Sequence, residues 1–95
     1  MTNNTTIYLI GGTSDGNAVA RRLEEEGFRV VVSVLTEVGA RLAAGLQTEA
    51  GPKDAEVIAA QVRELGAAAI VDCSHPFALI VSQEAARGAE FAGVP

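Results

Sequence analysis

The sequence has little cysteine and no long apolar run, and each shortage excludes a class of protein. Because Cys73 is the only cysteine, the chain cannot form an internal disulfide, which favours a reducing, cytoplasmic location. A membrane-spanning helix needs about 18 apolar residues in a row, and no run approaches that length. The opening residues "MTNNTT" lack the basic and apolar regions of a secretory signal. We therefore expect no disulfide scaffold and no membrane contact.

Positive charge and aromatic side chains are also scarce. Seven Lys and Arg residues against twelve Asp and Glu residues give a net charge of −5. Without a basic stripe to neutralise phosphates, and with 4% aromatic residues, we expect no binding to nucleic acid. We expect no metal site, because His75 and Cys73, two positions apart, make no recognisable ligand set.

The sequence does contain a regular alternation of strand-like and helix-like segments. Short apolar or β-branched runs predict strands at residues 7–10, 28–35, 46–50 and 67–72. Amphipathic segments predict helices at residues 14–26, 36–44 and 54–65, and a fourth helix that opens at Pro76. In the second helix, Val38 and Leu42 are expected to face inward.

This alternation predicts one small Rossmann-like α/β domain over residues 1–95. Right-handed crossovers favour an open parallel sheet of about four strands in the order 3-2-1-4, with helices on both faces. In that order, strands 1 and 4 are neighbours and the chain moves outward on opposite sides of them. Sheets of this class bind ligands outside the carboxyl ends of the strands at such a switch point.

The turn "GGTSDGNAVA" follows the first strand and resembles a dinucleotide fingerprint. Three of its residues occupy the glycine positions of G-x-G-x-x-G, with threonine at the middle one. Backbone N–H groups and hydroxyls at a helix start favour a pyrophosphate, so the predicted cofactor-binding residues are Gly11, Gly12, Thr13, Ser14 and Gly16. Asp15 would repel a phosphate unless it points away. The same pattern also fits a plain glycine turn in which Thr13 or Ser14 is the N-cap.

Ser33 and Thr36 lie at the end of the second strand, where the adenine ribose of a dinucleotide is held. The acidic residue that binds a free 2′-hydroxyl, expected about 20 positions past the first glycine, is missing. The hydroxyls of Ser33 and Thr36 and the cation of Arg41 favour a 2′-phosphate, and therefore NADPH over NADH, although Glu37 opposes this. Thr36 also fits a helix cap, and Arg41 a solvated helix residue.

The stretch "DCSHPFA" at residues 72–78 follows the fourth strand. Asp72, Ser74 and His75 place polar and titratable groups in the turn before a helix, and none of them is identified as catalytic. The alternative is that one of the three caps the next helix, whose first turn Pro76 fixes. Cys73 fits a small buried hydrophobic residue better than a nucleophile, because no base can be assigned to it.

Three stretches, "GGTSDGNAVARRL", "VSVLTEVGARL" and "AIVDCSHPFALIVSQEA", together resemble the amino-terminal half of the precorrin-6A reductases, including the cobalt-precorrin-6A form. The resemblance extends from Ile7 to Pro95 and is most specific at residues 72–78. It implies an enzyme of cobalamin biosynthesis that uses NADPH to reduce a double bond of a tetrapyrrole, the corrin-precursor macrocycle. It also implies that Ser33 and Thr36 lie near the adenosine, and that Ser74 and His75 border the nicotinamide and the macrocycle. On this basis the predicted substrate-binding residues are Asp72, Ser74 and His75.

The sequence departs from the family at three places. Alanine is frequent in the family where this chain has Cys73. "AGPKDAE" keeps only Gly51 and Asp54 of a frequent Gly-Arg-Leu-Asp stretch, so the arginine is missing. Family members run to about twice this length, with a second Rossmann-like domain expected after Pro95, without which we expect weak cofactor binding and little catalysis. The alternative to a reductase is a non-catalytic nucleotide-binding or interaction module.

Overall fold

The computed structural model of the chain describes residues 5–43, 45–51, 53–74 and 79–95. Strands and helices alternate along it as the sequence predicts. The elements in chain order are β1 (Thr6–Ile10), α1 (Ser14–Glu25), β2 (Arg29–Val34), α2 (Glu37–Leu42), β3 (Gln47–Ala50), α3 (Ala55–Leu65), β4 (Ala67–Asp72) and α4 (Leu79–Ala92). The predicted opening of the last helix at Pro76 lies outside the described residues.

The four strands form one parallel sheet in the order β3-β2-β1-β4, which confirms the predicted order and the short third strand. In this sheet Leu9 of β1 is level with Val32 of β2 on one side and with Val71 of β4 on the other. The carboxyl ends of β1 and β4 are therefore adjacent, at the switch point of the sheet.

Helices cover both faces of the sheet, as predicted. The face of Leu9 and Val32 packs against α1 and α2, whereas the face of Tyr8 and Ile10 packs against α3 and α4. All five residues of β1 are buried, because a strand between two helical layers has no face turned to solvent.

Three of the helices begin with a side chain that caps the backbone. Thr13, Thr36 and Asp54 each accept a hydrogen bond from the backbone N–H three residues later, at 2.9, 3.1 and 2.9 Å. Each side-chain oxygen satisfies an N–H group that has no partner within its helix. Each cap comes shortly after the carboxyl end of a strand, so α1, α2 and α3 begin near the carboxyl edge of the sheet.

The inner side of α2 differs from the prediction. Val38 and Leu42 are 58% and 69% exposed, so the expectation that they face inward is wrong. The helix approaches the sheet with Gly39 and Ala40 instead, and a Cβ atom at position 39 would lie 3.2 Å from Cβ of Val34. This approach leaves no room between α2 and β2 for larger side chains.

Candidate functional site

A pocket of about 220 Å³ lies at the carboxyl edge of the sheet, and α3 and α4 contribute to its wall. Residues at the ends of all four strands contribute to its wall, together with one residue each from α3 and α4. The lining residues are Ile10, Gly11, Gly12, Thr13, Ser33, Val34, Leu35, Gly51, Lys53, Ile58, Ser74 and Val81. The pocket is therefore at the place where open α/β sheets bind their ligands.

The glycine turn between β1 and α1 brings backbone against this pocket. The Gly11 N–H donates to the Ser33 carbonyl at 2.8 Å, and a Cβ atom at position 11 would lie 2.5 Å from Cγ1 of Val32. Gly12 has a φ of 100°, and a Cβ atom there would meet nothing within 4 Å. The first glycine is thus required by packing, whereas the second leaves its backbone open to a ligand.

Thr13 uses its hydroxyl within the protein. The hydroxyl oxygen accepts from the Gly16 N–H at 2.9 Å, and the hydroxyl donates to the Cys73 carbonyl at 3.1 Å. The reading of Thr13 as the N-cap is therefore confirmed. With its only O–H donor in use, Thr13 can contact an anion through its backbone N–H.

Ser14 and Asp15 form the exposed start of α1, and Gly16 is buried behind them. The first backbone N–H groups of a helix have no partners within the helix, and the helix dipole makes this end positive. The turn therefore offers an anion the combination that phosphate sites use, namely open backbone and free amides. The carboxylate of Asp15 remains the one unfavourable charge of this turn.

The glycine turn and the end of β4 are joined directly. The Cys73 N–H donates to the Ile10 carbonyl at 2.9 Å, and the Cys73 carbonyl accepts from the Thr13 hydroxyl. Ser74, the next residue, lines the same pocket as Gly12. The structure thus brings together two of the motifs that the sequence singled out, although they lie 60 residues apart along the chain. His75 lies outside the described residues.

Asp72 is exposed and organises the loop after β4. Its carboxylate accepts from the Ser74 N–H at 2.9 Å and from the Ser74 hydroxyl at 2.6 Å, and the hydroxyl oxygens of Ser74 and Ser82 are 3.2 Å apart. Partial burial raises the pKa of Asp72, but the hydrogen bonds from Ser74 and Ser82 together lower this pKa below its usual value. Asp72 therefore positions Ser74 at the pocket and is itself absent from the described pocket wall.

Cys73 is partly buried and packs against the apolar core on the α1 side of the sheet. Burial raises the pKa of its thiol, and the carboxylates of Asp72 and Asp15 raise it further. A thiol with a raised pKa is a poor nucleophile, which agrees with the structural reading of this cysteine.

Ser33 is buried at the end of β2, where it lines the pocket and forms a side-chain hydrogen bond with Tyr8. Tyr8 is fully buried, and its hydroxyl also donates to Oε1 of Gln61 on α3. Burial raises the pKa of the Tyr8 phenol, the hydrogen bond with Ser33 lowers it, and the Glu49 carboxylate raises it, with a net increase. Ser33 therefore reaches the pocket with its hydroxyl already hydrogen-bonded.

Thr36 and Arg41 follow the carboxyl end of β2 along the chain. Thr36 is exposed as the N-cap of α2, and Arg41 is exposed in the last turn of that helix. Neither belongs to the described pocket wall. The cap reading of Thr36 is confirmed, and its contact with an adenosine remains a prediction.

Lys53 is the charged residue of the pocket wall, and the sequence did not predict it as a site residue. Its ammonium group donates to the carbonyls of Gly51 at 2.7 Å, Glu49 at 3.0 Å and Val34 at 3.3 Å, and so joins the ends of β2 and β3. Burial lowers the pKa of Lys53, while the Glu49 carboxylate raises it by less. The sequence signal that indicates Lys53 is a single lysine beside the N-cap Asp54, one position after the place where the family pattern has an arginine.

The described residues offer neither a metal cluster nor a membrane span. Within residues 5–43, 45–51, 53–74 and 79–95, no three His, Cys, Asp or Glu side chains are grouped as metal ligands. No helix in the same part of the chain is long and apolar enough to cross a membrane.

Residues 6–95 match the family described as precorrin-6x reductase CbiJ/CobK. The chain is 33% identical over 94 residues to a cobalt-precorrin-6A reductase of Salmonella typhimurium, with 97% of this chain and 36% of the relative covered. It is 36% identical over 93 residues to a precorrin-6A reductase of Rhodococcus erythropolis, with 96% of this chain and 38% of the relative covered.

A solved structure of a CobK precorrin-6A reductase has the same fold. It superimposes with a TM-score of 0.84 at 28% sequence identity, over 95% of this chain and 36% of the solved chain. The 95 residues therefore span little more than a third of the relatives that they match.

Proposed function

The chain belongs to the precorrin-6x reductase family, and from this membership we propose that it forms the NADPH-binding part of a precorrin-6A reductase. NADPH supplies the hydride that such an enzyme transfers to a double bond of the macrocycle. This chain supplies the position of the cofactor and one wall of the site. The cobalamin pathway and a cytoplasmic location are parts of the same proposal.

The residues at the carboxyl edge fit a dinucleotide. In this proposal the pyrophosphate lies on the turn and the start of α1, at Gly11, Gly12, Thr13, Ser14 and Gly16. The adenosine lies toward the end of β2, beside Ser33 and Thr36. The macrocycle and the nicotinamide lie toward the end of β4, beside Asp72, Ser74 and His75, the last of which is outside the described residues.

One observation carries this proposal, namely the hydrogen bond between the Thr13 hydroxyl and the Cys73 carbonyl. It holds the open backbone of Gly12 and the residue Ser74 at one pocket, which supports a cofactor on the turn with its reactive end toward β4. Asp72 keeps Ser74 in place through two hydrogen bonds. This chain's part in the reaction is therefore to orient the cofactor and substrate.

The test is a comparison of two glycine variants by calorimetry with NADPH. Gly12→Ala adds a methyl group where the pyrophosphate would approach, and we expect NADPH binding to weaken by about tenfold or more. Gly45→Ala is the matched control, because Gly45 also has a positive φ, of 88°, with nothing within 4 Å of an added Cβ atom, and lies outside the described pocket wall. Both variants carry a similar backbone strain, so equal losses of affinity would contradict the proposed site. Binding of neither NADPH nor NADH, by this chain or by a full-length version, would favour a non-catalytic module.

A further inference from the structure

Lys53 is the only lysine in the sequence, and it is one of the residues in the wall of the pocket. The side chain is partly buried, and the ammonium contacts the carbonyl of Val34, the last residue of β2, at 3.3 Å. A fixed positive charge therefore stands at the end of β2.

The end of β2 is the place where dinucleotide-binding sheets read the 2′-position of the adenine ribose. An acidic side chain there binds the 2′-hydroxyl of NADH, and a cation there accommodates the 2′-phosphate of NADPH. Arg41 and Glu37, the charged residues of α2, are exposed and lie outside the described pocket wall. The Glu49 carboxylate raises the pKa of Lys53, and it also raises the pKa of Tyr8, which is buried beneath α3.

The contacts of Lys53 allow it to take a phosphate oxygen as a partner. Its longest hydrogen bond is the one to Val34, at 3.3 Å, compared with 2.7 Å to Gly51 and 3.0 Å to Glu49. The Val34 carbonyl also accepts from the Gly51 N–H at 2.9 Å, so it stays hydrogen-bonded when the ammonium turns away. A lysine ammonium has three donors that rotate freely about its flexible stem, so one donor can change partner while two keep theirs.

We propose that Lys53 makes this chain select NADPH over NADH by pairing with the 2′-phosphate at the end of β2. The inference rests on the proposed function, because it requires a dinucleotide on the glycine turn. It differs from the expectation from sequence, which placed the cation of this subsite at Arg41.

The first experiment measures the binding of NADPH and NADH by calorimetry. Because a charge-assisted contact forms with only one of the two, we expect the chain to bind NADPH about tenfold more tightly. Lys53→Met keeps the aliphatic stem and removes the charge, so the ratio of NADPH affinity to NADH affinity should fall to about one. The matched control Arg41→Met removes a cation from α2 and should keep the preference.

The second experiment uses the unaltered chain, so it does not depend on the folding of a variant. Labelling with ¹³C-lysine gives a single ε-methylene signal, from Lys53. The ε-methylene resonance should shift on addition of NADPH and shift much less with NADH.

The outcomes separate the inference from the proposed function. A preference for NADPH that survives in Lys53→Met and is lost in Arg41→Met would overturn the role of Lys53 and leave the cofactor site in place. Equal affinity of the unaltered chain for both dinucleotides would also overturn it. Binding of neither dinucleotide, by this chain or by a full-length version, would instead remove the proposed function on which the inference rests.

Discussion

The two faces of the sheet bury different kinds of side chain. On the face under α1 and α2 the strands contribute aliphatic residues, among them Leu9 and Val32, and the helices add one buried amide, Asn17 of α1, which donates to the Leu42 carbonyl. The face under α3 and α4 also contains an apolar cluster, but it buries the Tyr8 hydroxyl against Gln61 and Ser33. Lys53 follows at the edge of the same face, in the pocket wall.

The two faces therefore have different packing requirements. An aliphatic face needs only volume and shape, and it holds the strands in register. A face with polar groups must satisfy each of them, because an unpaired buried donor or acceptor costs free energy. The Tyr8 and Ser33 hydroxyls lie on the face of α3 and α4, and Ser33 itself lines the pocket, so the order that these groups require also shapes the candidate site.

The largest effect is expected from a cavity on the aliphatic face. Leu9 is fully buried, and Leu9→Ala should lower the free energy of unfolding by about 3 kcal/mol. The control is Val38→Ala on α2, where the side chain is 58% exposed and the change should be within about 0.5 kcal/mol. Urea denaturation of both variants measures the difference, and similar losses would contradict the packing of this face.

A smaller effect is expected from removing one buried hydroxyl on the polar face. Tyr8→Phe leaves Oε1 of Gln61 without its donor and should cost about 1 to 2 kcal/mol in urea denaturation. An unchanged or increased stability would show that the hydrogen bonds of Tyr8 do not offset the free-energy cost of burying its hydroxyl.

The same residue predicts a pH dependence. Because the folded state raises the pKa of Tyr8, the phenol stays neutral when an unfolded chain would ionise, and its contribution to stability is complete below about pH 10. That contribution is lost as the pH rises through the raised pKa. Tyr8 is the only tyrosine in the sequence, so the tyrosinate absorbance reports this residue alone and should appear together with unfolding. Ionisation that precedes the loss of helical circular dichroism would contradict this expectation.

The smallest effect is expected at Asp72, on the exposed border of the polar face. Hydrogen bonds lower its pKa in the folded state, so its contribution to stability is present above about pH 4 and is lost as the pH falls through the lowered pKa. Asp72→Asn should weaken this acid dependence and cost under about 1 kcal/mol at neutral pH, because the carboxylate is exposed. Denaturation midpoints at pH 7 and pH 3 measure both. An unchanged difference between the two midpoints would show that other carboxylates account for the loss of stability at low pH.

Much of the fold and part of the candidate site follow from local patterns. The alternation of apolar runs and helical periods predicts the parallel sheet and its order, because few topologies satisfy short right-handed connections. The pairing of Thr13 with Gly16 is a contact over three residues, so it is visible in the sequence as a cap. The inward placement of Val38 and Leu42 fails because periodicity does not report how closely α2 approaches β2.

The sequence alone determined that this chain forms a strand, a glycine turn and a helix, followed by three further strand–helix pairs, since those signals lie within neighbouring residues. Only the tertiary structure decided that the Tyr8 hydroxyl faces Gln61 and that the Thr13 hydroxyl meets the Cys73 carbonyl. It also decided that Lys53 reaches the end of β2. The physical reason is that each of these contacts joins groups between 19 and 60 residues apart, and their distance depends on sheet order and on how each helix packs.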